Sequence, residues 1–316
     1  MSSKVTIIGA GSVGSTIAYT LASNGIASEI VMIDVNIDKA LGEALDIRQG
    51  TPFFPAPVNI YAGSYSDAEG SDVVIITSGI ARKPGQTRLE LVQTNVNILK
   101  SITPAIVKYA PNAIYVLVSN PVDILTYVFH KISGVPESRI IGSGTILDTA
   151  RLRARISEYL SINQKNVHAY VMGEHGDSSF IPWSIATVSG VALNDYRKCL
   201  TDDSLLTPEL DYEDVENYMR TSGGKVIKRK GATYYAIATS VCNIVKCVFA
   251  STDSVMTVST MMHGEYGIED VCLSTLAVVG PRGVKSNIKP NLTEDEVAKL
   301  RHSAEVLKDV ISQVQI

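Results

Sequence analysis

The chain has 316 residues, which at about 150 residues per domain makes one large domain or two medium ones. Apolar residues make up 45% and charged residues 19%, a composition that builds a sizeable core and excludes a mostly disordered chain. Lys and Arg number 28 against 32 Asp and Glu; the net charge of -4, with no basic run, argues against nucleic-acid or anionic-membrane partners.

The first half alternates short apolar runs with helical patterns. Strands are expected at 5–8, 30–33, 58–61, 73–77, 114–118 and 140–141. Helices are expected at 12–24 and 39–48, with a long helical stretch at 89–109 broken or kinked at Thr103-Pro104. Continuous apolar runs with helices between them predict a parallel sheet covered on both faces. Residues 5–28 carry no formal charge and follow Lys4, superficially like a secretion signal. Glycines 9, 11, 14 and 25 break that run, it has no convincing cleavage site, and it leads straight into the second strand.

The second half reads as α+β with antiparallel character. Helices are expected at 147–160, 232–249 and 294–314, and strands at 167–172, 184–189, 255–260 and 271–279. An acidic, loop-like stretch spans 201–214. The expected division is a dinucleotide-binding domain over 1–143 and a substrate domain over 144–316. Cys199, Cys242, Cys247 and Cys272 show no CxxC spacing and no neighbouring His, so they read as free thiols in a reducing, cytoplasmic setting with no metal site.

Gly9-Ala10-Gly11-Ser12-Val13-Gly14 fits GxGxxG between a strand and a helix. The first glycine makes a tight turn, the second admits a pyrophosphate, and the third lets helix pack on strand. Asp34 ends the second strand, where a carboxylate accepts a ribose hydroxyl and repels a 2′-phosphate. His175 lies on the turn Gly173-Glu174-His175-Gly176-Asp177, free to face a cleft. Asp148 and Arg151 share the start of a helix, as an orienting carboxylate and a carboxylate clamp or as ordinary surface residues. Arg82 and Arg88 bracket a polar Pro-Gly loop at a strand C-terminus, where open α/β sheets bind ligands.

Together these motifs, with Ser119-Asn120-Pro121-Val122-Asp123 and Gly264-Glu265-Tyr266-Gly267, resemble the L-lactate and malate dehydrogenase family over essentially the whole chain. The resemblance implies a Rossmann-type doubly wound sheet followed by an α+β substrate domain. It also implies NAD as cofactor and hydride transfer between a 2-hydroxy acid and its keto acid. It makes His175 the proton donor and acceptor, Asp148 its partner, and Arg151 the substrate-carboxylate clamp. Arg88 would polarise the carbonyl, Asn120 would bond near the reacting oxygen, and Thr233 would line the pocket. Gly9, Gly11, Val13, Gly14, Asp34, Lys39, Tyr65, Gly79, Ser119, Asn120 and Ser143 fall at cofactor positions.

Arg82 stands where lactate enzymes resembling this chain carry Gln and malate enzymes carry Arg. The runs 173–179, 232–235 and 266–274, with Trp183, are lactate-type, so pyruvate and L-lactate are the expected substrates and oxaloacetate and malate the alternative. Arg153 and His168 fall where bacterial relatives bind fructose 1,6-bisphosphate across an interface, which implies an activated homotetramer. A metal-dependent glycosidase of the same architecture would want a Cys and His placed for a metal, and no such pair lies near the motifs. A non-catalytic NAD sensor would have no need to keep His175, Asp148, Arg151 and Arg88 together.

Overall fold

The computed structural model describes residues 3–80, 85, 87–202 and 208–316. Strands β1 (Lys4–Ile8), β2 (Glu29–Ile33), β3 (Asn59–Ala62), β4 (Val73–Ile76), β5 (Ile114–Leu117) and β6 (Ile140–Gly142) run parallel in the order β3-β2-β1-β4-β5-β6. This is the doubly wound order, which opens a crevice at the strand C-termini where the order reverses beside β1. Strands β4 and β5 are buried at every position. Their uninterrupted apolar sequence follows from having helices on both faces.

The helices of this half are α1 (Ser12–Ser23), α2 (Ile37–Gly50), α3 (Arg88–Tyr109) and α4 (Val122–Ser133). The expected break at Pro104 does not occur: α3 runs through it. Pro104 lies on the exposed side, so water can reach the carbonyl it leaves without an N–H partner. The sequence reading also passed over α4, whose first eight residues are all buried.

The second half holds α5 (Ile146–Leu160), α6 (Tyr212–Lys230), α7 (Tyr235–Phe249) and α8 (Glu294–Ser312). A small antiparallel sheet joins β7 (Val167–His168), β8 (Thr187–Val188) and β9 (Val191–Ala192), so the strands expected at 167–172 and 184–189 are much shorter than read. Strands β10 (Ser254–His263), β11 (Glu269–Gly280) and β12 (Gly283–Ile288) do not form a separate layer. They extend the parallel sheet antiparallel beyond β6, through Ser259 against Gly142. Glycine permits that approach, because a Cβ at 142 would lie 2.7 Å from the Ser259 Cβ and 2.4 Å from the Thr126 Oγ1. Helix α6 begins inside the stretch read as a loop. Only Val215 and Met219 are buried on it, and Gly223-Gly224 interrupts its pattern, so its signal was weak. Among the described residues, no helix is long and apolar enough to cross a membrane, and no three His, Cys, Asp or Glu side chains gather to hold a metal.

Candidate active site

The turn between β1 and α1 is built by glycine. Gly9 adopts φ +108°, closed to most side chains, and its N–H donates to the Ile33 carbonyl at 2.7 Å. A Cβ on Gly14 would lie 1.9 Å from the Gly9 carbonyl oxygen, so only glycine lets α1 seat against the turn. At Gly11 a Cβ would meet nothing within 4 Å. Gly11 also caps α1 without any side-chain bond. An open cradle at an uncapped helix N-terminus fits a dinucleotide pyrophosphate. Asp34 closes the far side: the Ala10 N–H donates to its Oδ2 at 2.6 Å and the Asn36 N–H to its Oδ1 at 2.8 Å. The carboxylate therefore braces the glycine turn as well as marking the end of β2. Lys39 is exposed on α2, and Tyr65 opens a 3-10 turn half-buried against the core, where burial raises its phenol above the usual range.

A cavity of about 400 Å³ runs from this cradle into the second half. Val13, Gly79, Ser119, Asn120, Ser143, Arg151, His175 and Thr233 all line it, so eight expected residues meet on one wall system. The sequence reading missed Asn95, buried on α3, which holds two loops of that wall together. Its Oδ1 accepts the Ile80 N–H at 2.9 Å and its Nδ2 donates to the Asn120 carbonyl at 2.8 Å.

The chemical centre is a triad. Asp148 Oδ2 lies 2.5 Å from His175 Nδ1, and Asp148 Oδ1 accepts from Arg151 Nη1 at 2.9 Å. The spacing of 148 and 151 is one helical turn of α5, which presents both side chains to the same face. Burial alone would depress the His175 imidazolium; the Asp148 carboxylate beside it outweighs that, and the imidazole stays charged to higher pH than usual. Burial likewise opposes ionisation of Asp148, but His175 and Arg151 hold its carboxyl below the ordinary range. With Nδ1 committed to Asp148, the ring's Nε2 makes no hydrogen bond among the described residues and is available to a ligand in the cavity. Helix α6 passes close by: a Cβ at Gly223 would stand 3.5 Å from the Arg151 guanidinium.

Arg88 is not on the cavity wall. Its side chain is 51% exposed at the start of α3, and Nη2 donates to Glu174 Oε1 at 2.5 Å. Glu174 is buried and also accepts from the Ser178 hydroxyl at 2.6 Å, a second residue whose part the sequence reading missed although it adjoins His175. Arg82 lies outside the described residues. Arg153 Nε donates to the Ala169 carbonyl at 3.0 Å, and its guanidinium lies 5.0 Å from the Tyr170 ring centroid. This places it beside the strand that carries the exposed His168.

The lactate/malate dehydrogenase NAD-binding domain model matches residues 3–142, and the alpha/beta C-terminal domain model of the same family matches 145–315. The chain belongs to the lactate/malate dehydrogenase family. It is an NAD-dependent oxidoreductase of that family. An L-lactate dehydrogenase of Thermoanaerobacterium saccharolyticum is 47% identical over 99% of this chain and 100% of its own length. L-lactate dehydrogenase 1 of Clostridium acetobutylicum is 48% identical over 98% of each chain. The solved structure of the minor L-lactate dehydrogenase of Enterococcus mundtii superposes with a TM-score of 0.94 at 40% identity, covering 100% of this chain and 99% of that one.

Proposed function

We propose that this chain interconverts pyruvate and L-lactate with NAD, and that His175, Asp148 and Arg151 carry the reaction. The observation that carries this reading is the convergence of an imidazole and a guanidinium on one buried carboxylate, at the wall of a cavity continuous with a dinucleotide cradle. When bound, reduced NAD supplies the hydride to the ketone carbon. The developing alkoxide then needs a proton, and His175 gives it from Nε2 while Asp148 holds Nδ1. Arg151 meets the substrate carboxylate, for which a planar guanidinium forms a fork that a lysine cannot. Arg88 would leave Glu174 to polarise the carbonyl, with Asn120 bonding near the same oxygen and Thr233 shaping the pocket. Gly9, Gly11, Val13, Gly14, Asp34, Lys39, Tyr65, Gly79, Ser119 and Ser143 are assigned to the cofactor; Asp34, at the end of β2, selects NAD over its 2′-phosphate form. Arg82 keeps malate as the reading to test against, while the relatives at 47% and 48% identity favour lactate.

The same reading divides the chain into 1–143 and 144–316, and the gap between the two family matches supports that boundary. It makes the protein a cytoplasmic homotetramer. Exposed Tyr19, Leu41, Leu45 and Tyr235 supply apolar surface for contact between copies, and four free cysteines suit a reducing compartment. Fructose 1,6-bisphosphate would bridge Arg153 and His168 of neighbouring copies and favour the active assembly. His175→Asn tests the chemistry: kcat should fall at least about a hundredfold with NADH binding intact, since proton transfer contributes about 10² to 10⁴. Retention of a tenth of the turnover would remove His175 as the acid. Titrating the bisphosphate at pH 6 tests the regulation; unchanged rate and unchanged sedimentation would remove that site.

A further inference from the structure

Asp123 is a buried carboxylate that the proposed chemistry does not use. It stands in the first turn of α4, 2% exposed. Its Oδ2 accepts the main-chain N–H of His175 at 2.7 Å. Its Oδ1 and the Ser259 hydroxyl of β10 are both sealed from solvent without a well-formed hydrogen bond, although the hydroxyl is near enough to favour the carboxylate's charge. Burying a carboxylate without full compensation is costly, and an apolar side chain would fill the same place between α4 and the sheet at less expense. The contact it makes is specific: it grips the one peptide N–H that sets where the His175 side chain leaves the turn.

We propose that Asp123 is a positioning residue for His175: it fixes the main chain of the turn and places a negative charge behind the imidazole. The proposal rests on His175 as the proton donor. The charged groups around the imidazole are Asp148 and Arg151 from α5 and Asp123 from α4, with Glu174 of the same turn facing Asp123. Asp148 and Asp123 favour the imidazolium, and Arg151 opposes it. Burial pushes the Asp123 carboxyl up to about 6, against the pull of Ser259 and of the His175 amide and ring. Asp123 is therefore ionised in the range above pH 6 where the raised His175 titration falls. Removing a negative charge that favours the imidazolium lowers its titration.

Asp123→Asn removes the charge but keeps an oxygen that accepts the His175 N–H; Asp123→Ala removes both. The measurement is the pH profile of kcat/KM for pyruvate, with NADH binding followed by fluorescence to show that each variant is folded. For the Asn variant the alkaline limb should move down by about one pH unit, and the acid plateau should stay within about threefold of the unsubstituted enzyme. For the Ala variant the limb should move as far and the plateau kcat should fall by at least about tenfold. A limb that does not move in the Asn variant overturns the electrostatic half, and a full plateau in a folded Ala variant overturns the positioning half. If the Ala variant does not bind NADH, the Asn profile decides alone. His175→Asn is run beside them, because turnover surviving that change would overturn the acid assignment itself, whatever Asp123 does.

Discussion

Replacing Asp148 by Asn should separate charge from shape at the centre of the site. The carboxylate touches His175 at 2.5 Å and Arg151 at 2.9 Å, and the side chains of the pair are 10% and 27% exposed. At about 4 Å between charge centres and an effective dielectric near 20, a full ion pair is worth about 4 kcal/mol, or about three pH units. The partly exposed imidazole is screened by water, so the fall in the His175 pKa is smaller than that limit. The amide also presents an N–H as readily as an oxygen to Nδ1, so part of the enzyme holds the ring in the wrong tautomer. Pyruvate reduction at pH 7.5 should therefore drop by about 10² to 10³, with part of the loss recovered as pH falls to 5.5 and more of the imidazole is protonated. Stopped-flow NADH oxidation over that pH range reads both effects. A loss below about tenfold at pH 7.5, or no recovery in acid, would refute the assignment of Asp148 as the group that holds the imidazolium.

Other outcomes follow from single contacts. Gly14→Ala puts a methyl 1.9 Å from the Gly9 carbonyl, so NADH affinity should fall by more than about tenfold and the melting temperature should drop, as overpacking by one methyl costs about 1–3 kcal/mol; unchanged calorimetric binding and melting would contradict it. Asp34→Ser should narrow the preference for NADH over NADPH, read as a ratio of kcat/KM, and equal use of both by the unsubstituted enzyme would overturn the role of Asp34. The raised His175 pKa sets the sign of two pH effects. Pyruvate reduction should decline, and lactate oxidation grow, as pH rises through that value. The stability from the charged imidazole should be complete below its unfolded pKa of about 6.5 and be lost over the same rise, as thermal melts from pH 5.5 to 9 would register.

The parallel half was readable because its strands are buried on both faces and so spell continuous apolar runs. The α4 helix, whose first eight residues are all buried, and α6, which is hardly buried at all, both escaped that logic. The glycine turn was legible at Gly9 and Gly14, which answer different steric demands, while Gly11 leaves open space. His175, Asp148 and Arg151 could be named from local motifs, and the resemblance gave them roles, but their convergence depends on packing α5 beside the turn after Phe180 pairs back with Met172. The partners that the sequence did not reveal are remote in the chain. Glu174 meets Arg88, Asp123 meets the His175 backbone, and Asn95 ties residue 80 to residue 120. None has a spacing that predicts the contact, because each is made across helices that meet only in the folded sheet.

The central claim is the identity of the keto acid, and Arg82 is what puts it to the question. The most direct measurement is NADH oxidation with pyruvate and with oxaloacetate, side by side on the same enzyme, each as kcat/KM. Pyruvate should be preferred by at least about tenfold on the lactate reading, whereas a cation meeting the second carboxylate of oxaloacetate would reverse the order. A preference for oxaloacetate above tenfold would contradict the account and make this chain a malate dehydrogenase.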